Sequence, residues 1–127
     1  GIDGKARYQG TPVERCLPVT LLPHDDRVEV PEGVHPVVEK PEHAVLSGLP
    51  QDWPAFLGYN RIVAKEGADV LLRVNQDPFL AVHQYGKGRS AAFASDCSPH
   101  WAPPAFLNWS GYGKFWNQLL AWLVAAA

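Results

Sequence analysis

Methionine is absent from the 127 residues, and cysteine occurs only twice. With Gly1 at its head, a chain without methionine reads as processed or cut from a longer one. Cys16 and Cys97 stand far apart, whereas small secreted domains carry dense, even sets of cysteines. The two therefore read as reduced thiols of a cytoplasmic protein. An excess of charge is missing as well: eleven Lys and Arg against thirteen Asp and Glu give a formal net charge of −2. A nucleic-acid partner would call for a basic surplus, so composition gives no electrostatic case for that class. Long apolar runs are lacking too. A membrane span takes about 18 or more apolar residues, and the most apolar stretch, residues 119–127, is far shorter. The first ten residues carry Lys5 and Arg7 with no apolar core behind them, so they do not have signal-peptide form.

What is present is 46% hydrophobic and 19% charged, a globular composition sufficient for one domain. Twelve prolines exclude a helical bundle, because an interior proline breaks a helix. Thr11-Pro12-Val13-Glu14 predicts a capping box opening a short helix that Pro18 limits. Residues 19–22 read as a short strand, His24-Asp25-Asp26 as an exposed turn, and residues 27–30 as a half-buried strand. Residues 31–41 read as extended connection. Residues 43–49 form a helical turn ended by Gly48, and the tract with Pro50, Trp53 and Pro54 is loop. Four apolar segments follow, at 59–64, 70–74, 79–84 and 90–95. Their short separators predict a β-meander, since parallel crossovers are longer. The last segment hardly alternates, the pattern of a strand covered on both faces. Residues 111–127 predict a helix whose Phe115, Trp116, Leu119, Leu120 and Leu123 make one wide apolar face. That face must pack on a sheet, which gives an α/β or α+β class.

Reactive groups are densest in Ser95-Asp96-Cys97-Ser98-Pro99-His100-Trp101, after the most buried-looking strand, where open α/β sheets carry their sites. Here Cys97 is a candidate nucleophile, His100 its base and Asp96 the group that orients the imidazole. Three residues this close on one loop seldom aim at one another. In the plainer reading Asp96 caps a turn, Cys97 fills an apolar gap and His100 bonds backbone. In a third, His100 serves a site with residues from elsewhere in the chain, and the residues alone leave all three open. Gly86-Lys87-Gly88-Arg89 lacks phosphate-loop spacing and reads as a hairpin turn. His83 reads as a satisfied core or edge histidine. Trp101, Phe106, Trp109 and Tyr112 read as packing aromatics, or as a surface for stacking sugars or bases. No metal or cofactor set is defined.

The blocks Tyr85-Gly86-Lys87-Gly88-Arg89-Ser90-Ala91-Ala92-Phe93 and Ser95 to Trp101 resemble the C-terminal signature of the class I glutamine amidotransferase-like family, which includes relatives of trehalose-utilisation proteins. Residues 1–8, Leu17-Pro18-Val19, Asp25-Asp26-Arg27-Val28 and Leu57-Gly58-Tyr59-Asn60 are similar to further blocks of it. The resemblance implies a flavodoxin-like α/β fold, with a mainly parallel sheet extended by the meander. It implies a mixed sheet and a C-terminal helix here, so that residues 1–127 are a single domain or the C-terminal portion of one. The family's nucleophile elbow precedes Gly1, and no G-x-C-x-G occurs in this chain. Where true glutaminases carry His-Pro-Glu, Ser98-Pro99-His100-Trp101 stands instead, which makes His100 a counterpart without its glutamate. The functions implied are small polar ligand binding or hydrolase-type chemistry. His100 would then be the general acid/base, Asp96 its partner and Cys97 a site-lining thiol. The alternative is a non-catalytic binding or assembly module using loop 96–112. Half of a doubly wound sheet implies an unpaired edge that pairs with the missing half or a second copy.

Overall fold

The computed structural model describes residues 6–125. Residues 1–5 and 126–127 lie outside, and with them most of the family-like block at 1–8 and the last alanines of the expected helix. In chain order come α1 (Pro12–Cys16), β1 (Val19–Leu21), β2 (Arg27–Val34), β3 (Val37–Val38), β4 (Phe56–Asn60), β5 (Ile62–Ala64), β6 (Asp69–Val74), β7 (Asp77–Tyr85), β8 (Gly88–Phe93), α2 (Pro104–Leu107) and α3 (Tyr112–Val124). The chain is thus of mixed α/β class. β1 pairs with β5, β2 with β4, and a four-stranded sheet has the order β3-β6-β7-β8. Every pairing between these strands is antiparallel. The mainly parallel sheet implied by the resemblance is therefore not seen among the described residues.

The meander exists as β6-β7-β8, but its expected first strand does not belong to it. Residues 59–64 are divided at Arg61, whose amide donates to the Asp26 carbonyl. On either side, β4 and β5 turn to β2 and β1. A short connection guarantees nearness, not pairing, and strands from the first half compete successfully for these edges. The same competition makes strands of residues expected to be plain connection. β2 continues through Pro31 across a register shift between Glu29 and Val34, and β3 takes the edge beside β6. A bulge tolerates proline because it leaves ladder positions unpaired. Asn75-Gln76 and Gly86-Lys87 close the two hairpins, with positive φ at Asn75 (53°) and Gly86 (59°).

The capping box forms differently from its sequence reading. Thr11 makes no side-chain bond to the helix; its hydroxyl and amide both donate to the Tyr8 carbonyl. Glu14 instead accepts from the Gly10 amide (3.0 Å) and the Leu21 amide (2.8 Å), which holds its carboxyl below the usual range. Lys65 closes the other end, its ammonium donating to the carbonyls of Glu14, Arg15 (3.3 Å) and Leu17 (2.7 Å).

The core lies between the four-stranded sheet, β4, α2 and α3. Phe56, Phe79, Phe106, Phe115 and Leu80 are fully buried, and among the described residues no polar or charged one is buried with them. α3 packs on β8 through Phe115, Leu119 and Trp116, the last with its ring 5.2 Å from that of Phe93. Its apolar face is narrower than the periodicity implied, because Leu120 is 58% exposed. β8 is half-buried rather than covered on both faces: it is an edge strand, pairing only with β7 among the described residues.

His43 gives a pH prediction. Its ring lies 5.6 Å from that of Trp122, and its Nδ1 accepts from the Val45 amide (3.2 Å), an arrangement suited to the neutral form. Burial holds its pKa below the ordinary 6.5, with Lys40 and Arg89 adding to the effect and Asp69 and Glu42 opposing it. The unfolded chain then binds the proton more readily than the folded one. The contribution is complete above pH 6.5 and is lost as pH falls from there through the folded value. Thermal melts between about pH 8 and pH 5 should fall more steeply for the wild type than for His43→Gln. Parallel curves would remove the assignment.

Candidate functional site

The segment after β8 is held by backbone bonds before any side chain acts. The Asn60 amide donates to the Ala94 carbonyl (2.7 Å), and the Leu57 amide to the Trp101 carbonyl (2.9 Å), so β4 fixes both ends of loop 95–101. The Ser95 hydroxyl adds a bond to the Gly58 carbonyl (2.8 Å), and the Tyr112 hydroxyl donates to the Cys97 carbonyl (2.8 Å).

Within this frame Asp96 and His100 meet. Asp96 Oδ2 lies 3.0 Å from His100 Nδ1 and also accepts from the Trp101 amide (2.9 Å). One oxygen of Asp96 thus contacts both the backbone of the turn and the imidazole. His100 has φ 149°, a region L-residues rarely adopt, and its side chain is 68% exposed. With Nδ1 directed at the carboxylate, Nε2 faces solvent without a hydrogen-bond partner among the described residues. A neutral imidazole so arranged carries its proton on Nδ1 and offers a lone pair on Nε2.

Cys97 is exposed and unpaired, and so does not fill an apolar gap. Its thiol makes no hydrogen bond to His100 or Asp96. It lines instead a shallow groove of about 430 Å³ with Phe93, Ser95, Tyr112, Trp116 and Leu120. The other aromatics pack inward. Phe106 is fully buried and Trp101 is 6% exposed, so they offer no stacking platform. Trp101 crosses to β2, where its indole Nε1 donates to Glu29 Oε2 (2.9 Å). It lies over Gly58, where any Cβ would come within 2.3 Å of Nε1.

The remaining candidates are accounted for structurally. Asp25 is committed to Arg27, whose guanidinium drives its carboxyl far below the usual range. His83 Nε2 donates to the Cys16 carbonyl (3.0 Å). Among the described residues no three His, Cys, Asp or Glu side chains converge as metal ligands.

Compared with known families, the sequence matches over residues 1–125 the one described as "Putative glutamine amidotransferase". The chain belongs to that family. Among solved structures it is similar to Cytoplasmic Protein STM3548 from Salmonella typhimurium, at 45% identity and a TM-score of 0.91, covering 97% of this chain and 50% of that one. Cytoplasmic Protein STM1381 from Salmonella typhimurium LT2 matches with the same identity, score and coverage. The chain thus spans half the length of these two proteins. No curated protein matches it. For this amidotransferase-like chain the resemblance carried by residues 85–101 is borne out.

Glu29 and Gly58 are the residues that reading the sequence for reactive groups missed. Glu29 was only one of two polar residues, with Arg27, in an alternating strand. Gly58 offered a signal, since glycine inside a strand often marks a close approach by another group. Here that group is the Trp101 indole.

Proposed function

We propose that this chain supplies the acid–base part of a hydrolase-type site in a flavodoxin-like, amidotransferase-related protein. His100 is the general acid/base and Asp96 its orienting partner. The observation that carries the reading is the 3.0 Å contact between His100 Nδ1 and Asp96 Oδ2 on an otherwise exposed imidazole. Asp96 fixes the tautomer and stabilises the imidazolium that forms when Nε2 takes a proton from water or a nucleophile. The same proton then passes to the leaving group of a small polar amide or ester. Cys97, adjacent to Asp96, is a site-lining thiol. A cytoplasmic setting fits the two similar proteins described by that word.

The test is ammonia release from glutamine and product release from simple amides and esters. His100→Ala should lower turnover by roughly 10²- to 10⁴-fold, the range of a positioned acid/base. Asp96→Asn should lower it by less. Equal turnover by the wild type and His100→Ala eliminates the role. A second reading, in which loop 96–112 docks a partner without chemistry, draws on the exposed Leu120 beside Cys97 and Tyr112. It gains if neither the wild type nor any variant turns over an amide or ester.

A further inference from the structure

We infer that Glu29 is a positioning residue for His100, acting through Trp101. The inference rests on the acid–base reading of His100 and Asp96. It starts from strand register. Glu29 on β2 stands directly opposite Gly58 on β4, and opposed residues on an antiparallel pair project from the same face, with their Cβ atoms about 4.5–5.5 Å apart. Gly58 projects nothing, and the indole of Trp101 fills its place, within 2.3 Å of where a Cβ would be. That position brings Nε1 to Glu29 Oε2 at 2.9 Å. The glycine supplies the room and the glutamate supplies the anchor.

Trp101 is the next residue after His100, so its placement sets the backbone from which the imidazole hangs. His100 has φ 149°. A strained residue of this kind persists only where its surroundings over-determine it. The surroundings here are the three bonds of Trp101: its amide to Asp96, its carbonyl from Leu57 and its indole to Glu29. The first two hold the main chain; only the third holds the side chain. The Trp101 amide and His100 Nδ1 share Asp96 Oδ2, and that amide belongs to the peptide unit bonded to His100, so a shift of the Trp101 main chain that follows its freed indole moves both donors at once. Release of the indole from Glu29 therefore lets His100 relax and leave the carboxylate.

The readout is the tautomer of His100, followed by imidazole ¹⁵N shifts at about pH 8, above the ordinary histidine range, and assigned by the signals lost in His100→Gln. In the wild type the Nδ1–H form should dominate. Glu29→Ala and Trp101→Phe should each lower the ratio of Nδ1–H to Nε2–H by roughly tenfold, the effect of losing one charge-assisted hydrogen bond. Glu29→Gln should restore it, because its amide oxygen can accept from the indole. A merely structural Glu29 would change stability and leave the tautomer alone. An unchanged ratio in Glu29→Ala and Trp101→Phe, with a native amide spectrum, overturns the inference while leaving the His100–Asp96 pair standing. So does a Glu29→Gln ratio equal to that of Glu29→Ala. If Asp96→Ala, which removes the acceptor outright, leaves the ratio unchanged, the pair is not formed in solution, and both readings fall together.

Discussion

Phe106→Ala should cost about 3–5 kcal/mol, the range for removing a fully buried phenylalanine. Phe106 is the single buried residue of α2. Its ring centroid lies 4.5 Å from Phe56, 5.1 Å from Tyr112, 6.2 Å from Trp53 and 6.4 Å from Phe93. It therefore joins β4, β8 and the start of α3 at one point. Large rings on several sides cannot all move into the space an alanine leaves, so the cavity persists and the upper part of the range is expected. Total stability of a domain is about 5–15 kcal/mol, which brings the variant close to unfolding. The midpoint of urea unfolding should fall steeply while the slope stays unchanged. A loss under about 1 kcal/mol would show that the aromatic cluster is far more plastic than its geometry implies.

Gly58→Ala should be nearly as damaging, although it adds only one methyl group. The new Cβ would stand 2.3, 2.5 and 2.6 Å from Nε1, Cε2 and Cδ1 of the Trp101 indole. Contacts that short force something to shift. The far end of a flexible chain could do so cheaply, but this ring is 6% exposed and held at Nε1 by Glu29. Overpacking of this kind costs about 1–3 kcal/mol, and expulsion of the indole adds its lost burial. Tryptophan emission should shift to the red, and the melting temperature should fall by roughly 10 °C or more. Gly113→Ala provides the control of opposite sign. Nothing lies within 4 Å of its added Cβ, and alanine is favoured over glycine inside a helix by about 0.5–1 kcal/mol. Equal stability of the two variants would refute the steric account.

Local chemistry explains which elements could be read from the sequence. The Gly86-Lys87 turn was legible because a two-residue hairpin needs a positive φ, which glycine supplies at 59°. α3 was legible from its period. The exposure of Leu120 was not, because periodicity shows where an apolar stripe runs but not how much of it a neighbour covers. Pro103-Pro104 read as loop, yet proline at the first turn of a helix removes no needed donor. A buried Phe106 was enough to fix one turn of α2 there. The division of residues 59–64 was invisible because its cause lies in residues 19–28 of β1 and β2, more than thirty positions before their partners.

The candidate site follows the same rule. Asp96, Cys97 and His100 stood out by type, but spacing on a single loop argued against their meeting. Asp96 and His100 meet with His100 at a rare backbone angle, and that angle depends on Trp101, which Glu29 and Gly58 place from other strands. Cys97, with no comparable tether on its side chain, stays apart from them. Side-chain type was readable locally, whereas orientation was imposed from a distance.

The Lys65 ammonium has a consequence for α1. That helix has five residues and none of them buried, well below the length at which a helix sustains itself in water. It exists because an amine about fifty positions onward gathers its terminal carbonyls. Acetylating that amine would remove its charge and two of its three donor protons. The amides of residues 15–17 should then exchange with solvent sooner than those of the sheet, leaving the aromatic interior intact. Chemical modification in the β5–β6 turn would thus be reported about fifty positions earlier in the sequence, by a helix that records whether the turn has closed.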